Sequence, residues 1–240
     1  MQVLNDFRPW RDTLRGRLTI SDLLACDTLN AESAAALWWT IAHGASVFVA
    51  AGPPGAGKST IANALLEFLP DDANVYVTCG GWDPLDVPPT PTQGPLYLLV
   101  NELSAHLPVY LYGEAARRAF ELLQTGTRML GTLHARSAAE AIRVMCYEGE
   151  LVRTEIGAPF VFVVVSAGWS GRDMVREVVE LGFLAPDGEL TSLAGRRADT
   201  LQLEAPGIAA LANWSSRDAA AVEHAIAERA QQLAIRTTPG

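Results

Sequence analysis

Short apolar runs alternate along this chain with stretches of helical periodicity. Ser46–Ala51 (SVFVAA), Val75–Cys79, Leu96–Val100 and Met129–Leu133 are largely apolar and bounded by turn residues, as expected of strands covered on both faces. Between them, Lys58–Leu69 carries a helical pattern with Pro70 just beyond, and Glu114–Gln124 carries another that ends before Gly126. Thr19-Ile20-Ser21-Asp22 and Ser137-Ala138-Ala139-Glu140 read as capping boxes, the first opening a short helix and the second a helix to about Tyr147. Asn30 is placed to cap a helix through His43, closed by Gly44. Phe160–Val165 and Met174–Leu181 predict strands joined by a Gly168–Arg172 turn. A short third strand follows the Pro186-Asp187-Gly188 turn, making an antiparallel meander. Ser215 is expected to cap a final helix to about Ala234. The pattern predicts an α/β fold: a mainly parallel sheet, an antiparallel β extension and C-terminal helices.

The segment Gly80–Pro95 holds five prolines and three glycines and reads as an irregular loop. Such a loop inside a compact domain is more often functional or mobile than idle.

Composition narrows the function classes. The 240 residues carry 18 Lys or Arg against 27 Asp or Glu, a formal net charge of −9, which argues against a nucleic-acid partner held through a generally basic surface. The longest apolar stretch, Ala158–Trp169, falls short of the ~18 residues that span a bilayer. Asp6, Arg8, Arg11 and Asp12 stand where a signal peptide would need an apolar run. No membrane insertion and a cytoplasmic location are therefore expected. Cys26, Cys79 and Cys146 are scattered and odd in number, and read as buried thiols of a reducing compartment.

Lysine usage changes the picture most. Seventeen of the 18 basic residues are Arg, and the single lysine is Lys58. A lone lysine in an arginine-only chain marks a place that needs a compact ammonium. Around it, Gly52-Pro53-Pro54-Gly55-Ala56-Gly57-Lys58-Ser59 matches G-x-x-x-x-G-K-[ST], with a strand before and a helix after. In such a loop the glycines let backbone N–H groups turn toward a phosphate, and the helix N-terminus adds partial positive charge. Lys58 then reaches the β- and γ-phosphates, the Ser59 hydroxyl ligates Mg²⁺, and Thr60 contacts the α-phosphate. ATP and Mg²⁺ are the expected ligands, and Gly52 through Thr60 the expected binding segment.

A P-loop hydrolase also needs a carboxylate near the metal and the attacking water, expected at the C-terminal end of a strand beside the loop's own strand. Glu102 follows the apolar strand Leu96–Val100. Glu114 is the alternative, but it lies in the first turn of a helix, where dipole stabilisation alone explains an acid. Glu102 is thus the candidate catalytic carboxylate and a metal neighbour, through water. His134 ends the strand Met129–Leu133, with Thr132 on the same face, and is the second catalytic candidate, placed to sense a γ-phosphate. His43, His106 and His224 receive no role.

The order of these motifs resembles the secretion-superfamily ATPases, the motors of type II and type IV secretion, type IV pili and tight-adherence pili. The resemblance is carried by the phosphate loop, the strand ending in Glu102, Thr125-Gly126, and Gly131-Thr-Leu-His134-Ala-Arg-Ser137, which is similar to the family's His box. Leu18 through the Asn30 helix is similar to the segment that precedes the family's P-loop, and the Phe160–Leu181 hairpin to its later β-region. The resemblance implies a RecA-like P-loop ATPase domain over 18–195, a linker-like stub at 1–17 and a C-terminal helical extension at 196–240. It also implies self-association into a ring, and secretion or pilus platform proteins at the inner face of the membrane as partners.

The chain departs from the family pattern in places. Gly80-Gly81 stands where the family places an acid, with Asp83 and Asp86 out of register. Asn101-Glu102-Leu103-Ser104 lacks the usual following Arg, and position 127 is Thr rather than His. Ahead of the motor region only a stub carrying Arg8, Arg11, Arg15 and Arg17 resembles the family's linker. From these departures slow turnover and weak self-association are expected. The alternative readings are a nucleotide-binding regulator with weak hydrolysis and a P-loop small-molecule kinase. A kinase would need an arginine-rich lid, and Pro84–Pro95 contains no Arg.

Overall fold

Among the described residues, nine strands form one sheet: β1 (Gln2–Val3), β2 (Ser46–Ala50), β3 (Asn74–Val77), β4 (Leu96–Val100), β5 (Arg128–Leu133), β6 (Phe160–Ser170), β7 (Asp173–Leu184), β8 (Leu190–Arg197) and β9 (Thr200–Leu203). Their order is β1-β3-β4-β5-β2-β6-β7-β8-β9. The pairs from β1 to β6 are parallel and those from β6 to β9 antiparallel. The computed structural model describes residues 1–5, 18–87, 94–197 and 200–237. Arg8, Arg11, Arg15 and Arg17 of the expected stub lie outside the described residues, as does part of the Gly80–Pro95 loop.

Among the described residues, seven α-helices cover the sheet: α1 (Ile20–Ala25), α2 (Ala31–Ala42), α3 (Lys58–Leu65), α4 (Gly113–Leu123), α5 (Ala138–Glu148), α6 (Ala205–Ser215) and α7 (Ala219–Thr237). The period-two rule assigns each strand's side chains to one of two cores. Val47 and Val49 of β2, Tyr97 and Leu99 of β4, and Val161 and Val163 of β6 join the core with α1, α2, α3, α6 and α7. Phe48 and Ala50, Leu98 and Val100, and Phe160 and Phe162 join the opposite core with α4 and α5. Burial on both faces is why β2, β4 and most of β5 are apolar without alternation. Glycine is forced at one central point. A Cβ on Gly131 of β5 would sit 2.6 Å from the Val100 carbonyl oxygen and 2.8 Å from the Phe48 ring. Gly131→Ala is expected to destabilise the fold by about 1–3 kcal/mol, the usual overpacking range, measurable as a lower denaturant midpoint.

Local capping follows the sequence. The Thr19 hydroxyl accepts from the Asp22 N–H while the Asp22 carboxylate accepts from the Thr19 N–H, closing a capping box on α1. The Asn30 carbonyl oxygen accepts from the Ser33 N–H at 2.8 Å, and its amide donates to the Leu201 carbonyl, tying α2 to β9. At α5 the Ser137 hydroxyl accepts from Glu140 N–H, but the Glu140 carboxylate takes the Arg136 N–H instead of closing a box.

Several expectations need correction. Strand β4 is not beside β2, because β5 lies between them. Strand β6 extends to Ser170, five residues past its expected end at Val165, while β7 starts at Asp173, beside the expected Met174, and runs on to Leu184 past the expected Leu181. The outer half of this hairpin pairs only with itself beyond a bulge at Val164/Val165, so no buried face marks it in the sequence. Ser215 does not open the last helix. It ends α6, its hydroxyl donating to the Leu211 carbonyl, and Asp218 caps α7 by accepting from Ala220 N–H. Strands β1 and β9 and helix α6 were not foreseen. Nor are the cysteines buried: Cys26 and Cys79 are exposed and Cys146 is half-buried. Within the expected helical extension at 196–240, the described residues include the end of β8 and all of β9, and Val222, Ile226 and Leu233 of α7 share the core of α2.

Candidate functional site

The site lies at the C-terminal ends of three neighbouring strands, β4, β5 and β2, where open α/β sheets bind ligands. After β2 the chain turns through Gly52–Gly57 and enters α3 at Lys58. Gly55 (φ 74°) and Gly57 (φ 91°) adopt left-handed backbone, which a side chain would strain. Gly57 is the N-cap residue of α3, and no side chain caps that helix. Lys58, Ser59 and Thr60 form its first turn. Lys58 is buried, Ser59 is exposed and Thr60 is half-buried.

The sheet brings Lys58, Glu102 and His134 together. Lys58 Nζ stands 3.5 Å from Glu102 Oε2 and 3.3 Å from His134 Nε2, and His134 Nε2 stands 3.4 Å from Glu102 Oε1. The Lys58 and Glu102 side chains are only 8% and 9% exposed, so they compensate each other's charge in a desolvated place. His134 Nδ1 lies 3.3 Å from the Gly52 carbonyl. Each ring nitrogen thus faces an acceptor, the Gly52 carbonyl at Nδ1 and a Glu102 oxygen at Nε2, and both face the Lys58 ammonium, at 3.5 Å and 3.3 Å.

Backbone ties hold the carboxylate in place. Leu103 N–H donates to the Thr132 carbonyl at 2.9 Å, Leu111 N–H donates to the Glu102 carbonyl at 2.9 Å, and the Thr132 hydroxyl donates to the Asn101 carbonyl at 2.5 Å. Thr132 thus joins the ends of β4 and β5 on the face it shares with His134. Glu114 is elsewhere: it is exposed on α4 and lines a separate depression with Trp82, Arg117 and Arg118. Asp83 is buried and used by its own loop, accepting from Cys79 N–H, Leu85 N–H and the Tyr76 hydroxyl.

Two arginines that the sequence did not single out flank the glycine loop. Arg136 lies over Gly52, where an added Cβ would come within 2.9 Å of its side chain. Arg176, on β7, donates from Nε and Nη2 to the Gly55 carbonyl, each at 3.3 Å. A cleft of about 550 Å³ opens between α1, the glycine loop and the hairpin, lined by Leu18, Leu23, Cys26, Lys58, Thr60 and Met174 among others. The donor set suits a phosphate with a divalent cation: oriented backbone, one ammonium, one hydroxyl and one carboxylate at a helix N-terminus.

Fold and site together define a mixed α/β protein with a glycine-rich strand-to-helix loop facing a buried Lys–Glu–His cluster. No family model matches the chain. An uncharacterized protein of Methanocaldococcus jannaschii, MJ0900, is 29% identical over 145 residues, which cover 52% of this chain and 26% of that protein. Among solved structures, the VirB11 ATPase of the Brucella suis type IV secretion system in complex with sulphate superposes with a TM-score of 0.41 and 18% identity, over 60% of this chain and 50% of that one. The Legionella pneumophila ATPase DotB gives a TM-score of 0.43 and 14% identity, over 90% and 58%. The match spans about a quarter of the curated relative's length, half of the VirB11 chain and 58% of the DotB chain. Among the described residues, no helix is long and apolar enough to cross a membrane.

Proposed function

We propose that this chain is a Mg·ATP-binding P-loop ATPase domain of RecA-like architecture, working as a secretion- or pilus-type motor. The observation that carries the reading is the convergence of Lys58, Glu102 and His134 at the mouth of the glycine loop. Lys58, the chain's single lysine, is held by Glu102 until a phosphate arrives. The incoming phosphate then takes the ammonium, and the carboxylate is released to orient the attacking water. Ser59 and Glu102 would hold Mg²⁺, which supplies charge neutralisation at the phosphate oxygens. His134, bridging Gly52 and the cluster, is placed to report the γ-phosphate to β5. Self-association into a ring and attachment to platform proteins at the inner face of the membrane, in the cytoplasm, belong to the same proposal.

Turnover is proposed to be slow for the chain alone. Gly80-Gly81 offers no acid, and Asp83 is fully engaged in its own loop. Cations supplied by a neighbouring copy should then accelerate the reaction, since an arginine in trans contributes about 10³–10⁵ in rate. Phosphate release measured across protein concentrations tests this. Release per chain should start low and rise with concentration as light scattering reports association. A concentration-independent rate of several turnovers per second would contradict it, and no release at any concentration would favour the nucleotide-binding regulator.

A further inference from the structure

The β6–β7 hairpin does more than extend the sheet. Beyond the bulge at Val164/Val165 its strands pair only with each other, from Val165↔Val178 to Ser170↔Asp173. Val178 anchors its base by donating to the Thr28 carbonyl at 2.8 Å. From there the outer half reaches the cleft, which Met174, Val175 and Arg176 line together with Leu18 and Leu23 of the α1 region. At the tip, Trp169 is 70% exposed. Besides its own pairing, this half is held at its base by buried Val165 and Val178 and by the Glu177–Arg196 ion pair to β8, so the segment from Ser166 to Arg176 has the fewest ties beyond the cleft, the condition for an element that moves at low cost.

Arg176 fastens this half to the glycine loop. Its Nε and Nη2 both reach the Gly55 carbonyl at 3.3 Å, and its Cδ would lie 3.0 Å from a Cβ on Gly57. The guanidinium therefore sits against the segment that the reading above assigns to phosphates. A carbonyl is a neutral acceptor. A phosphate oxygen offers a charge-assisted bond about twice as strong, in a geometry that suits the guanidinium fork. A phosphate in the loop would thus compete directly for this side chain.

We propose that Arg176 is a phosphate-contacting residue supplied by the same chain, and that the β6–β7 hairpin is the movable wall of the nucleotide cleft. Arg176 exchanges the Gly55 carbonyl for a phosphate oxygen when a nucleoside triphosphate binds. Because Arg176 is paired with Ala167 in the hairpin register, its shift carries the tip with it. Met174 and Val175 then close with Leu18 and Leu23 around the apolar part of the nucleoside. The hairpin converts occupancy of the loop into a displacement of an exposed surface bearing Trp169. The inference rests on the loop being a nucleotide site, and it adds the element that responds.

Hydrogen exchange and titration with Mg·ATP test it on three proteins: wild type, Arg176→Ala and Lys58→Ala. Arg176 is exposed, so its replacement leaves the fold intact, which a melting curve verifies. Wild type should bind and show slowed exchange both in residues 52–60 and in residues 166–177. Arg176→Ala should bind about tenfold more weakly, the loss expected for one charge-assisted bond. At saturation it should keep protection of 52–60 and lose protection of 166–177. Lys58→Ala should show neither. Wild-type affinity with full hairpin protection in Arg176→Ala would overturn the role of Arg176 while leaving the nucleotide site standing. Absence of nucleotide binding by the wild type would overturn both.

Discussion

Replacing Lys58 by alanine is expected to abolish Mg·ATP binding. The ammonium is the only lysine in the chain and stands at the first turn of α3, against the glycine loop. Without it the β- and γ-phosphates lose the loop's own ammonium, the cation placed directly against them. The substitution also orphans Glu102, whose side chain is 9% exposed and stands 3.5 Å from the lysine. Breaking a buried pair from one side costs about 3–5 kcal/mol, so the variant should melt earlier as well. Lys58→Arg separates the two effects. The guanidinium keeps a positive charge beside Glu102 and should retain much of the stability. It is nevertheless longer and planar, does not fit a cradle built for an ammonium, and should bind ATP poorly. A titration and a melt on both variants read this out. Wild-type affinity in Lys58→Ala would remove the basis for a phosphate loop.

Glu102→Gln is expected to do the opposite: binding kept, turnover lost. The amide has nearly the carboxylate's shape, so the backbone ties through Leu103, Leu111 and Thr132 stay in place. It cannot accept a proton from water and is a weaker metal neighbour. Loss of general-base action alone costs about 10²–10⁴ in rate. Affinity for ATP should hold or improve, because the lysine no longer has to leave a carboxylate. Glu114→Gln should change neither quantity, as that side chain is exposed in the separate depression beside Trp82. Turnover lost in Glu114→Gln and kept in Glu102→Gln would move the catalytic carboxylate to the other acid.

Much of the parallel core was legible because its signals are local. Leu96–Val100 is apolar throughout and becomes β4 with those bounds, and Asn30 caps α2 through the side chain its position requires. The glycine loop is legible for the same reason, since its turn, its lysine and its helix are contiguous. What failed depends on distant partners. Strand order is a non-local property, so Glu102 and His134 could be read as strand-end residues but not as 3.4 Å neighbours at the ends of adjacent β4 and β5. Helix α6 was hidden because Pro206 and Gly207 look like breakers. Pro206 instead occupies the first turn, where its missing N–H costs nothing, and Gly207 admits the β8 backbone, 2.4 Å from where its Cβ would be. Arg176 gave no sequence signal, because only the extension of β6 to Ser170 carries its partner strand over the loop.

The central claim is that the glycine loop and its buried lysine bind Mg·ATP. Calorimetric titration of Mg·ATP into the purified chain, with Lys58→Ala alongside, tests it most directly. The account predicts saturable one-to-one binding by the wild type and none by the variant. Absence of saturable binding by the wild type, or equal binding by the two proteins, would contradict it.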